Sequence, residues 1–312
     1  MTALLTFRDN VKAFISRYDY IFTPIGKGIL ALCIFFSIST QFGYLAVLSK
    51  GILLVLLALI CAFLPLEIIT GISAILIVLQ SFKVSIDVAL LSFALIMVFY
   101  CGYMRFIPKS GVIALLVPIF YVCHLAYALP VIIGVLVGPA AIVPMGFGVM
   151  LYYYEGAVAD LVKVLAAATE DDEAVQGFQY VLAELVGNKE MILTIIVFAV
   201  VILIAYLIHR SSFEHAWMVS FLVAGVLNIV LFLVGSVTLT IEMSIGAILL
   251  ESIVGVLIAM LFQFWKGIVD YQRTEVLQFE DDDYYYYVKA IPKLSVSESN
   301  KNVKHINSKT HN

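Results

Sequence analysis

Residues 129–154 read LPVIIGVLVGPAAIVPMGFGVMLYYY, apolar almost throughout yet punctuated by Pro130, Gly134, Gly138, Pro139, Pro144, Gly146 and Gly148. A membrane crossing takes about 20 apolar residues, so the length suits one. The punctuation does not suit a straight helix, because a proline removes a backbone donor and clashes with the preceding turn. The stretch reads as two half-helices meeting at Gly138-Pro139. Whether they complete a crossing or return to the side they left decides the topology of the chain.

The rest of the sequence makes the bilayer the medium. Hydrophobic residues make up 63% of the 312 and charged ones 13%, against roughly 45–50% and about 25% in soluble domains; the mean hydropathy is +1.06. The net charge of −4 says little, because charge in such a protein matters loop by loop; with no basic stripe among so few charges, no nucleic-acid partner is expected. Cys33, Cys61, Cys101 and Cys123 lie in or beside apolar segments without CxxC spacing, and read as buried hydrophobes rather than metal ligands.

Outward from 129–154, eight further apolar stretches are candidate crossings: 28–48, 51–65, 67–82, 85–104, 111–128, 190–209, 216–236 and 242–265. If 129–154 also crosses, the seven basic residues of the C-terminal tail fall outside while the N-terminus is inside, against the positive-inside rule. If it dips in and returns, the N-terminus, the Arg105–Lys109 loop, Arg210 and the tail are all inside. Only Lys50, Lys83, Lys163 and Lys189 are then outside. A rival merges 51–82 into one crossing and keeps 129–154 as a span; it leaves one more cation outside and also puts the tail in the cytoplasm. The expectation is an all-α polytopic membrane protein with about eight transmembrane helices and a re-entrant, Pro/Gly-broken segment at 129–154.

Six regions follow. Residues 1–24 lack the apolar core of a signal peptide. Leu4, Phe7, Val11, Ile15 and Tyr18 recur there at helical spacing, with Arg8, Asp9, Lys12 and Arg17 elsewhere on the surface, the pattern of an interfacial amphipathic helix. Residues 25–154 form a first membrane bundle. Residues 155–189 read as an extramembrane acidic helical hairpin: Thr169 caps, Glu170 to Glu173 face the positive helix end, Val175, Phe178, Val181, Leu182 and Leu185 make the apolar stripe, and Gly187 stops it. The acidic cluster lacks EF-hand spacing, so no metal is expected. Residues 190–265 form a three-helix bundle, with Ser211 and Glu214 as a capping box before its second helix. Residues 266–294 form a cytoplasmic tail, and 295–312 read as disordered.

Ionisable residues inside a membrane are expensive and are functional candidates by default. Glu251 lies in the 242–265 stretch, sharing a face with Ala247 and Gly255. Small residues let a neighbouring helix approach, so Glu251 faces the bundle. It is either an ion- or proton-linked site or a structural hydrogen-bonding acid. His124, beside the broken segment, is a relay or substrate contact, or a histidine bonded between helices. Asn228 reads as an interhelical partner. The broken segment itself, through Pro130, Gly138, Pro139, Pro144 and Gly146, points to a pathway, because irregular backbone survives at membrane depth only where protein or a water-filled cavity satisfies it; the alternative is a hairpin that only packs. No hydrolase, metalloprotease, P-loop or dinucleotide motif occurs, so neither catalysis nor a cofactor is expected.

The tail carries Asp281, Asp282 and Asp283 into Tyr284, Tyr285, Tyr286 and Tyr287. Consecutive tyrosines favour a strand, which either lies on the protein's own cytoplasmic face or docks on a partner's sheet edge. This tail, EDDDYYYYVKAIPK, together with VDYQRTEVLQ, YMRFIPKSG and GNKEMILTIIVFAVVILIAYLIHR, resembles an uncharacterised family of bacterial polytopic membrane proteins. Its members are sometimes labelled ABC transporter permeases. The resemblance implies the bacterial cytoplasmic membrane and, if the label holds, a separate ATPase, since the chain has no nucleotide-binding module. The expected function is a permease-like integral membrane subunit, substrate unknown. The alternative is a non-transporting scaffold that recruits partners through its tail and outer hairpin.

Overall fold

The structure is a computed structural model and describes residues 2–45, 50–167, 177–211, 215–266, 275–280 and 284–290. Among these the chain is helical apart from one hairpin. The helices are α1 Thr2–Arg17, α2 Asp19–Gln41, α3 Gly51–Ala62, α4 Leu66–Val84, α5 Ile86–Phe99, α6 Gly111–Val122, α7 Leu129–Leu136, α8 Ile142–Ala167, α9 Gly177–Gly187, α10 Lys189–His209, α11 Ala216–Leu239 and α12 Ile245–Lys266; the strands are β1 Glu275–Glu280 and β2 Tyr285–Ala290. Among the described residues six stretches are long and apolar enough to cross a membrane: α2, α4, α5 with its continuation to Met104, α10, α11 and α12 up to Trp265. An all-α membrane-spanning architecture therefore stands. The chain divides into two compact units, Tyr20–Phe262 and the pair of termini Met1–Asp19 with Gln263–Asn312.

Within the larger unit, close approaches at small residues fix the helix directions. A Cβ built on Gly111 would lie 3.2 Å from Thr70, and one on Gly148 would meet the Ala114 carbonyl, while Tyr121 stacks on Tyr152 at 3.9 Å between ring centroids. The Ser81 and Tyr154 hydroxyls are 3.3 Å apart, and Tyr154 donates to the Val88 carbonyl at 3.1 Å. So α4, α6 and α8 run parallel, and α5 returns beside them after a tight turn capped by Ser85, whose hydroxyl accepts from the Val88 amide. Gly134 sits against Ile202 and Gly138 against the Tyr206 ring, which sets α7 parallel to α10. Gly235 against Leu193 and Ser220 bonded to the Ala205 carbonyl make α10 and α11 antiparallel; Gly225 against Val256 and Asn228 bonded to Ser252 do the same for α11 and α12. The bundle thus has a Glu190 end, shared with Lys83, and an Arg210 end, shared with the Arg105–Lys109 loop.

The break at Gly138-Pro139 is where the punctuation places it. Gly138 has φ +83°, a value that favours glycine. Pro130, Pro139 and Pro144 each stand in the first turn of a helical piece, where no donor is lost. What differs is the second piece. It does not end at Tyr154 but runs on as the 26-residue α8 to Ala167, with Glu155, Ala157, Val158 and Leu161 buried. The expected 154/155 boundary therefore falls inside a helix. Beyond it α9 packs back, with Val181 and Leu185 buried but Phe178 and Leu182 exposed. The Thr169 cap, the acidic run and Val175 lie outside the described residues.

Other boundaries shift for local reasons. Pro65 separates α3 from α4, and α3, at 12 residues, is only about 18 Å long. The expected limit at residue 24 falls inside α2, which starts at Asp19 and contains Pro24. Ser211 caps no following helix: its hydroxyl donates back to the Leu207 carbonyl at 2.9 Å, and Glu214 lies outside the described residues. Only Cys61 of the four cysteines is buried.

In the smaller unit, α1 exposes Phe7, Phe14 and Ile15, as an interfacial helix does. Arg8 departs from the expected surface position. It is 3% exposed, pairs with Asp9 at 2.8 Å, reaches the Phe264 carbonyl at 3.4 Å and lies over the Phe264 ring. The tyrosine strand folds back on its own chain: β2 pairs antiparallel with β1, Tyr286 opposite Phe279 and Val288 opposite Leu277. Asp281, Asp282, Asp283 and residues 291–312 lie outside the described residues.

Candidate functional site

The entry to the broken segment is where the candidate polar residues converge. After α6 the chain turns through His124, at φ 53°, into a single 3-10 turn, Ala126–Ala128, ahead of α7. Backbone groups at a helix start have no intrahelical partner, and at membrane depth each must find one. The amide of Tyr127 donates to Glu251 Oε2 at 2.9 Å. The carbonyl of Tyr127 accepts from Asn228 Nδ2 at 2.9 Å, and the same amide group donates to Ser252 Oγ at 2.9 Å. One residue's peptide groups are thus held on both sides, by α12 and by α11.

Packing makes the clamp reachable. Gly255, one turn beyond Glu251, lies so close to the turn that an added Cβ would stand 2.7 Å from the Ala128 Cα. The Tyr127 ring meets Phe232 edge-on at 4.7 Å, one turn from Asn228 on α11. Glu251 is 5% exposed and Asn228 fully buried. Glu251 lies six residues from the start of α12, about 9 Å along it, so the site belongs to the Glu190 end rather than the centre. The face shared by Glu251 and Gly255 turns inward as the spacing predicts.

His124 is placed differently from its companions. Its side chain is exposed and is coupled to Glu251 electrostatically, but no hydrogen bond joins the two among the described residues. Of the broken-segment residues, Gly138 marks the apex at the Arg210 end, beside Tyr206, and Tyr103 donates to the Ala140 carbonyl there. Gly146 lies in ordinary contact with Ile195. Pro130 stands in the first turn of α7, directly after the clamped turn, while Pro139 and Pro144 stand in the helical pieces after the apex. Tyr284, Tyr285 and Tyr287 are well exposed and belong to the smaller unit.

Two features at the Glu190 end escaped sequence reading. Glu155 is 2% exposed and neither carboxyl oxygen has a hydrogen-bond partner among the described residues. Its place at the end of an apolar run made it look like the first residue outside. The signal was the stripe Leu151, Tyr154, Val158, Leu161, which carries helical burial past it. The second is a tyrosine cluster. The Tyr127 hydroxyl is coupled electrostatically to Glu190, Glu251 and Tyr152, and Tyr152 to Glu190 and Glu155. Tyr121 comes near Thr194 and Tyr153 without meeting hydrogen-bond geometry, so its hydroxyl is unpaired among the described residues. Three carboxyl groups and several phenols therefore share one end of the bundle. Among the described residues no group of three His, Cys, Asp or Glu side chains is close enough to hold a metal.

No protein family, curated protein or solved structure matches this chain.

Proposed function

We propose that the protein is a permease-like, non-catalytic subunit of the bacterial cytoplasmic membrane, with substrate or ions passing near the junction of Glu251, Asn228 and Tyr127. The observation that carries this is a broken backbone element whose entry is held by an ionisable side chain. Transporter sites are built in this way from interrupted helices, and buried acids in membranes mark ion and proton routes. The Glu155–Glu190–Glu251 arrangement with its tyrosines supports a hydrophilic route on the same side of the bundle.

The proposed topology has eight crossings, a re-entrant 129–154 and both termini in the cytoplasm. It is supported by the helix directions: Tyr127 and Tyr152, near the two ends of the broken segment, sit together with Glu190, while its apex sits with Tyr103 and Tyr206. A partner ATPase would then act from the Arg210 end.

Glu251→Gln is the informative variant. Its amide oxygen accepts the Tyr127 N–H as the carboxylate does, so the clamp persists while charge and proton exchange are lost. Uptake or proton coupling by the reconstituted protein should fall at least tenfold at unchanged thermal stability; full activity in this variant overturns the reading.

The β1–β2 hairpin favours the second reading, a scaffold. Among the described residues the sheet has two strands, an assembly that is marginal in water by itself and that a strand from a partner would extend. In that case deletion of 275–290 abolishes co-purification of a partner, while Glu251→Gln does nothing.

A further inference from the structure

Beyond the proposed transport route, the outward face of α4 and α5 carries a separate feature. A crevice of about 400 Å³ runs between them, lined by Gly71, Ala74, Ile75, Phe93, Met97 and Tyr100 among others. Small residues create it: nothing lies within 4 Å of a Cβ built on Gly71, and Ala74 stands one turn further on. Next to it a narrow space shares Ala74, Ile96 and Tyr100 and reaches Thr70, Met104 and Gly111. Ile75, Phe93 and Met97 remain well exposed at its mouth. Both walls belong to helices long and apolar enough to cross a membrane, so the medium against the crevice is lipid.

Charge selects the occupant. At Tyr100 the helix widens into a π-turn, Tyr100–Met104, a feature frequent at functional sites. The amide of Arg105 closes that turn on the Tyr100 carbonyl at 3.0 Å, so Arg105 begins one turn from the crevice's end, with Lys109 just beyond. Both side chains are exposed and make no hydrogen bond or ion pair among the described residues. A second apolar groove of about 320 Å³, between α2 and α3, lacks this: its neighbouring Lys27 is engaged with the Leu64 carbonyl at 3.4 Å. We propose that the α4–α5 crevice holds one acyl chain of an anionic phospholipid, with the headgroup phosphate against Arg105 and Lys109. The chain fills apolar space that water leaves unfilled, and the two cations, long enough to reach the headgroup layer, discriminate by charge.

The full-length protein, reconstituted with equal amounts of phosphatidylglycerol and phosphatidylcholine and analysed by native mass spectrometry, tests this. The unmodified chain should retain one phosphatidylglycerol in preference to phosphatidylcholine. Arg105→Gln and Lys109→Gln, made singly so that the loop keeps a cation, should each lower that preference about fivefold, as expected for one basic residue near an anionic surface. Ala74→Leu should reduce retained lipid of either kind about tenfold. Unchanged preference in both charge variants, or retention in Ala74→Leu equal to the unmodified chain, overturns the proposal. The charge variants lie on an exposed loop and keep the test decisive if Ala74→Leu misfolds.

Discussion

At the scale of single residues, Tyr127 shows why polar side chains persist in this bundle. Its amide and carbonyl lie where the helical ladder is interrupted, and Glu251 and Asn228 substitute for the missing turn. Interhelical hydrogen bonds in membranes average about 0.6 kcal/mol and reach about 1.7. Glu251→Ala is therefore expected to lose about 1–2 kcal/mol, measurable by unfolding in detergent, while Glu251→Gln stays close to the unmodified chain; equal losses in both would show that charge, not the hydrogen bond, holds the turn. Glu155 behaves oppositely. Its side chain is buried, but its carboxyl makes no hydrogen bond among the described residues. A buried polar group without a hydrogen-bond partner costs free energy, and an apolar side chain of similar size removes that cost. Glu155→Leu should leave stability unchanged or raise it by about 1 kcal/mol. A loss of several kcal/mol in the same unfolding assay would contradict this and show that the Glu155 carboxyl is paired in the folded protein.

At the scale of elements, three glycines test how the broken segment is held, each through a different cause. Gly255 faces backbone, with an added Cβ 2.7 Å from the Ala128 Cα, so Gly255→Ala must displace the 3-10 turn and should cost about 1–3 kcal/mol. Gly225 faces a methyl of the Val256 side chain rather than backbone; Val is stiff at χ1 in a helix, so Gly225→Ala should cost about 1 kcal/mol for the displaced rotamer, less than Gly255→Ala. Gly138 combines φ +83° with the Tyr206 ring at 2.8 Å from a built Cβ, and Gly138→Ala should cost more than about 1 kcal/mol. Thermal unfolding of the three variants gives the order; Gly225→Ala as the worst would contradict the packing described. The break itself was legible, because proline and glycine act through local geometry. The continuation of α8 through Glu155 was not, because a glutamate after three tyrosines looks the same in sequence whether water or packed protein surrounds it. Arg8 was misplaced for the same reason: its burial depends on Phe264, distant in sequence.

At the scale of the whole molecule, the directions of the helices in the larger unit support one arrangement of side chains across the membrane, and accessibility of single cysteines checks it. In a background without the native cysteines, Lys109→Cys should react from the same side as Tyr287→Cys, and Glu184→Cys from the opposite side. Labelling of Lys109→Cys from the Glu184 side would instead select the rival in which 51–82 crosses once. Labelling of Glu184→Cys from the tail's side would defeat both.

Composition and periodicity by themselves determined the medium, the helical class, the broken segment with its apex, and the inward face of Glu251, because bulk hydropathy and proline and glycine geometry act over a few residues. The tertiary structure alone decided that Glu251 and Asn228 meet on one peptide, that Glu155 is enclosed, that the tyrosine strand closes on its own chain, and that small residues on α4 leave a crevice beside two cations. All but the hairpin, whose paired strands are neighbours in sequence, join residues far apart in sequence. Such contacts depend on which helices lie adjacent and in which direction they run, and no local pattern encodes that.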